Sequence, residues 1–215
     1  MNNTKIFACQ TLEDEILEIL PGNIDHEFLE YRLHRTPDKL RGQLKKRIEE
    51  AEEYDTLLFG YGLCSNGVAG LSSQKHKIVV PRVHDCISLL LGSRNQYDAQ
   101  FEKHPATIYL SKGWIKQKGD PMSEFYEYCD KYGEDNARWL IEEEYKNYQR
   151  VVFIHTVGDC DEDVKYSKEV AGFLKVKFCE VQGSLRYFER LVNGEWDTEF
   201  LVIPPGRTIS LNHFM

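Results

Sequence analysis

Thr56-Leu57-Leu58-Phe59-Gly60-Tyr61-Gly62-Leu63-Cys64-Ser65-Asn66-Gly67 is the stretch on which the fold turns. Thr56–Phe59 has no polar alternation, the pattern of a strand buried on both faces, and Gly60 breaks it. Strands of that kind belong to parallel sheets covered by helices. Towards the N-terminus the rhythm repeats. Lys5–Ala8 is a short apolar strand, and Leu12, Ile16, Ile19 and Leu20 form a helical stripe ended by Pro21-Gly22. His26–Arg32 reads as a second strand. Pro37 then opens a helix whose apolar face is Leu40, Leu44, Ile48 and Ala51.

Towards the C-terminus the same alternation continues. Ile78–Val80 is a strand stopped by Pro81, followed by a helix over Asp85–Leu91 and a polar helix over Asn95–Lys103. Thr107–Leu110 is a strand running into Gly113-Trp114. Glu124–Tyr145 is helical, acidic and aromatic, with a break at Gly133. Val151–Ile154 and Val176–Val181 are strands around a helix at Val164–Leu174, and a helix at Leu185–Val192 leads to the strand Phe200–Ile203. Strands alternating with helices predict an α/β fold. The expected form is a mainly parallel sheet flanked by helices, Rossmann-like and doubly wound, with a helical insertion. Residues 1–215 read as a single α/β domain, with 121–148 as a helical lobe.

The composition excludes several classes. The 215 residues carry 27 Lys and Arg against 35 Asp and Glu, a formal net charge of −8. That balance argues against nucleic acid as a partner, because neutralising phosphates needs clustered cations. No apolar run approaches the roughly 20 residues that span a bilayer, and the N-terminus lacks a signal-peptide pattern. The expectation is therefore a cytoplasmic protein with no membrane partner. In that compartment six cysteines read as thiols or ligands, not as a disulfide framework.

In open α/β sheets, ligands bind beyond the carboxyl ends of the strands. Cys9 follows the first strand, Cys64 the strand ending at Phe59, His84 and Cys86 the strand ending at Val80, and Trp114 the strand ending at Leu110. His155 and Cys160 follow Ile154. Only Cys129 and Cys179 fall elsewhere. A single free cysteine is more often a small core residue than a ligand. Four of six at one predicted edge, with His84 two residues from Cys86, point instead to a metal site of Cys64, His84 and Cys86 with Cys9 as a fourth ligand. Thiolate and imidazole ligands favour zinc, with an iron–sulfur cluster as the alternative.

Gly60, Gly62, Asn66, Gly67 and Trp114 are the candidates to lie against a bound cofactor, since glycine-rich backbone can approach a ligand closely. The loop is not a dinucleotide fingerprint, because Ser65 stands where the third glycine is needed, and no GK[ST] follows for a phosphate loop. Tyr126, Tyr128, Tyr132, Trp139, Tyr145 and Tyr148 could wall a planar cofactor, but at helical spacing such a stripe is expected to be core packing.

Tyr61-Gly62-Leu63-Cys64-x-Asn66-Gly67, Pro81-Arg82-x-His84-Asp85-Cys86-Ile87 and Tyr109-Leu110-x-x-Gly113-Trp114 together resemble domain-of-unknown-function family 1638 of bacteria and archaea. Gln10 and Ser65 stand where that family's glycines are expected. Members tend to be encoded beside corrinoid-dependent methyltransferases, so the resemblance implies corrinoid-linked one-carbon metabolism. The implied partners are a corrinoid protein or corrinoid methyltransferase and a small thiol or methylated substrate. The resulting expectation is a zinc-held thiol activated for methyl transfer, with Arg82 and Asn66 orienting the substrate. Its rivals are a non-catalytic module that handles metal or corrinoid and a redox pair of Cys64 and Cys86.

Overall fold

The structure, a computed structural model, describes residues 3–64 and 66–214. The chain opens with strand β1 (Thr4–Cys9), helix α1 (Glu13–Ile19), strand β2 (Ile24–Leu29), helix α2 (Pro37–Glu50), strands β3 (Thr56–Gly60) and β4 (Lys77–Pro81), and helix α3 (Cys86–Leu91). Helix α4 (Arg94–Lys103), strand β5 (Thr107–Leu110) and helices α5 (Lys112–Lys116), α6 (Pro121–Tyr132) and α7 (Glu134–Tyr145) follow. Strand β6 (Arg150–His155), helix α8 (Asp161–Leu174), strand β7 (Lys177–Gln182), helix α9 (Arg186–Asn193) and strand β8 (Phe200–Ile203) complete it.

The fold is α/β and Rossmann-like, mostly parallel and flanked by helices, as the alternation predicts. The strands nevertheless form two sheets, one of order β2-β1-β3-β4-β8 and one of order β5-β6-β7. The chain groups into two compact units. One contains residues up to Arg94 and from Ser184 on; the other is Asn95–Gly183.

In the first unit β1, β3 and β4 run parallel, with Ala8 beside Gly60 and Leu58 beside Val79. Ile6, Phe7, Leu57, Leu58, Phe59, Ile78, Val79 and Val80 are all buried, which explains their unbroken apolar runs. Leu12 and Ile16, and Leu40, Leu44 and Ile48 of α2, are buried too, so both predicted stripes face the core. β2 is the edge strand and starts two residues earlier than its alternation suggests, giving way at Tyr31–Arg35 to a 3₁₀ turn. Edge position explains its charges: Glu27 pairs with Lys5 at 3.0 Å and Arg47 at 2.6 Å. At the opposite edge β8 runs antiparallel to β4, with Pro81 beside Phe200.

The second unit holds three parallel strands, with β6 central and its Val151, Val152, Phe153 and Ile154 fully buried. The acidic helical block is a hairpin of α6 and α7 turned at Gly133, whose φ of 82° suits glycine. Its seam is Phe125, Ala137 and Ile141. The expectation that the aromatic stripe is core packing fails for Tyr126, Tyr132 and Trp139, which are 61, 55 and 61% exposed. The small residue at Ala137 lets the two helices meet there, and the large rings are left on the outer side. Among the described residues no helix is long and apolar enough to cross a membrane.

Candidate functional site

The order β2-β1-β3-β4 reverses direction between β1 and β3, so the carboxyl ends of those two strands flank a topological switch point. Two glycines bring the chains together there. A Cβ on Gly60 would lie 2.7 Å from Cβ of Ala8, and one on Gly62 would lie 2.8 Å from the Val83 carbonyl and 2.9 Å from the Asp85 amide. Side chains are excluded at both positions, which lets the loop after β3 close on β1 and on the loop after β4. Leu63 donates to the Val83 carbonyl at 2.8 Å and Cys64 to that of His84 at 3.0 Å.

Beyond those bonds the loop is anchored on α2. Arg41 donates to the carbonyls of Ala69 at 2.7 Å and Asn66 at 2.9 Å. A Cβ on Gly67 would strike Leu40, so Gly67 serves close packing against that helix. Cys64 and Asn66 both adopt positive φ, 45° and 74°, a conformation that disfavours L side chains and is held here by the surrounding bonds. Ser65 lies outside the described residues.

Cys9 ends β1 and is buried, with its sulfur accepting from the Thr11 hydroxyl at 3.2 Å. Burial pushes the Cys9 thiol up, only partly offset by Thr11. Cys64 is raised further, by burial first and then by the proximity of Cys9 and Asp85. Tyr61 is 3% exposed, and burial followed by Cys9 and Cys64 raises its phenol well above the ordinary value. Cys9 therefore opposes the ionisation of Cys64 and of Tyr61, and Cys64 opposes that of Tyr61.

On the neighbouring loop Asp85 caps α3, accepting from the amides of Ile87 at 3.0 Å and Ser88 at 3.1 Å. That bond pattern starts the helix at Cys86, one residue later than expected, and leaves His84 exposed and Cys86 part-buried. Arg82 is tied by its amide to the Glu199 carbonyl at 2.7 Å. Cys9 thus lies near enough to Cys64 to oppose its ionisation, and Cys64 is joined to His84 through the backbone. Among the described residues no group of three or more His, Cys, Asp or Glu side chains is arranged to hold a metal ion.

The remaining candidates belong to the second unit. Trp114 lies on α5 after β5, and Cys160 is buried in a cluster with Leu110, Val151 and Phe153. Cys129 and Cys179 lie within α6 and β7, away from strand ends, as expected. Sequence reasoning passed over Tyr61 and Thr11. The one available signal was Tyr61 itself, enclosed by two glycines immediately after a buried strand.

A family model described as a protein of unknown function (DUF1638) matches residues 28–192. The matched span holds Cys64, His84 and Cys86 but begins after Cys9. No curated protein and no solved structure matches the chain.

Proposed function

Because this chain belongs to the DUF1638 family, whose description assigns no activity, we propose a function from the site itself: binding of a soft metal ion, zinc by ligand type, at the β1–β3 switch point. The observation that carries the proposal is the placing of Cys9, buried, and Cys64, half-buried, after two adjacent strands. Two thiols whose ionisation is opposed first by desolvation are poor sites for charge until a cation arrives. A bound cation reverses that balance, because it favours both thiolates. His84 and Cys86 supply the further ligands by turning their side chains towards Cys64, whose amide already meets the His84 carbonyl.

The family resemblance extends the proposal to methyl transfer in corrinoid-linked metabolism. Bound zinc would supply a nucleophilic thiolate at neutral pH. Asn66, exposed on the Arg41-anchored loop, and Arg82, whose amide bonds to the Glu199 carbonyl, would orient a substrate. The proximity of Cys9 and Cys64 also favours a second reading, a reversible redox pair of those two thiols.

Metal analysis of anaerobically purified, reduced protein tests the main reading. About one zinc per chain is expected, lost on Cys64→Ser. Reduced protein that neither retains nor takes up zinc overturns it. Loss of two titratable thiols under mild oxidation, at Cys9 and Cys64, would then favour the redox pair. An absorbance titration with cobalamins tests the corrinoid extension, and an unchanged cobalamin spectrum overturns that part.

A further inference from the structure

A cavity of about 450 Å³ lies between α7 and the end of α8, with all its lining residues in the second unit. That volume is in the range of small-molecule sites. The cavity shares no residue with the cysteine edge of the first unit. Its apolar lining includes Ile141, which is buried, and Phe173 and Leu174, which are half-buried. Tyr145 and Tyr148 add two rings whose centroids are 5.5 Å apart. The Tyr145 ring is held in place because its hydroxyl donates to Glu124 at 2.6 Å. Apolar surface left open at a cavity favours a guest that covers it, and aromatic walls favour a flat one.

The charge at the cavity runs against that of the chain. Arg138, Lys146 and Lys175 line it with Glu142 as the one carboxylate, in a protein of formal net charge −8. Arg138 and Lys146 are paired on their own helix side, with Glu134 at 2.9 Å and Glu143 at 2.7 Å. Lys175 is different. Among the described residues its ammonium has no ion-pair partner. It also ends α8 in the left-handed conformation, at φ 57° and ψ 38°, with its amide donating to the carbonyls of Ala171 and Gly172. Glycine is the usual residue at such a helix end, and a side chain there is strained. A strained residue that carries an unpaired charge at the mouth of a cavity points to a ligand of opposite charge.

We infer that this cavity binds a small planar aromatic anion, with its ring against Tyr148 and Phe173 and its negative group at Lys175. A cationic guest would meet three like charges. A small polar anion would gain the charge but leave the apolar lining uncovered. An aromatic acid satisfies both.

The probe is 8-anilinonaphthalene-1-sulfonate, an aromatic sulfonate, titrated by fluorescence into the intact native chain. N-phenyl-1-naphthylamine, the same ring system without the charge, is titrated beside it. Wild type should bind the sulfonate saturably at one site. Lys175→Gly should bind it a few-fold more weakly, as for loss of one exposed ion pair, and should bind the uncharged probe as before. That variant should unfold at the wild-type temperature or above, because glycine adopts positive φ without penalty. Lys175→Arg, which keeps the charge, should bind the sulfonate as wild type does. Tyr148→Ala should weaken both probes. 2-Naphthoate should displace the sulfonate, and acetate at the same concentration should not. Absence of saturable binding by wild type overturns the inference. Equal sulfonate affinity in wild type and Lys175→Gly also overturns it, as do unchanged binding of both probes in Tyr148→Ala and equal displacement by acetate.

Discussion

The amide of Cys64 donates to the carbonyl of His84 at 3.0 Å, joining the loop after β3 to the loop after β4. That one bond sets the thiol of one strand end beside the imidazole-bearing turn of the next. It depends on Gly62, two residues upstream, where the chains approach too closely for any side chain.

Gly62→Ala should therefore destabilise the protein by about 1–3 kcal/mol, since its Cβ meets backbone atoms that cannot swing aside. Zinc affinity should fall with it. Gly42→Ala is the control: Gly42 is exposed on α2 with nothing within 4 Å of an added Cβ. There the same change should stabilise by about 0.5–1 kcal/mol through helix propensity. Urea unfolding of both variants measures the contrast, and equal effects would contradict it.

Cys64 separates backbone strain from thiol chemistry. At φ of 45°, Cys64→Gly should be more stable than Cys64→Ala by about 1 kcal/mol, because only glycine escapes the left-handed penalty. Both variants lack the sulfur, so both should lose zinc to the same degree. Denaturant midpoints give the first comparison and metal content the second.

Cys9 decides whether the proposed centre is open or closed. With three ligands, Cys9→Ser keeps about one zinc per chain and leaves a position for an external thiol or water. With four, it weakens metal binding and lowers the stability of the loaded protein, because binding energy at a closed site is also folding energy. Cys86→Ser is the parallel measurement, and full retention of zinc by both variants would remove both from the ligand set. Cys129→Ser and Cys179→Ala, in the second unit, should leave metal content unchanged.

The carboxylate of Glu199 accepts from Arg186 and Arg190 of α9 and from the Tyr187 hydroxyl at 3.0 Å. The Arg186 bond foremost, with Tyr187 and Arg190, holds its carboxyl below the usual glutamate range despite its burial. A folded-state pKa below the unfolded one adds stability above the unfolded value, and that stability is lost as pH falls through the folded value. Glu199→Gln should therefore destabilise at pH 7, and its difference from wild type should shrink as pH drops below about 4.3. Thermal unfolding at pH 7, 5 and 3 checks the sign; a gap that widens towards acid would contradict it.

Much of the architecture was legible because burial on both faces of a parallel strand writes itself as an unbroken apolar run. Leu57-Leu58-Phe59, Ile78-Val79-Val80 and Val151–Ile154 are such runs, and each is a buried strand. The edge strand β2 carries the charges of a solvent-facing element, and its boundaries were correspondingly harder to place. The cysteines stood out because strand ends are visible in sequence and thiols are scarce.

By itself, then, the sequence determined the α/β alternation, the helix stripes, and the positions of Cys9 at a strand end and of Cys64, His84 and Cys86 beyond strand ends. The tertiary structure decided which strands pair, and so the division into two sheets and the antiparallel course of β8. It also decided that Cys9 and Cys64 lie at one switch point, while Trp114 and Cys160 belong to another unit. The physical reason is range. Apolar periodicity and turn chemistry act over a few residues, but pairing β1 with β3 joins positions about fifty residues apart. That choice depends on which buried surfaces fit, down to the missing Cβ atoms of Gly60 and Gly62.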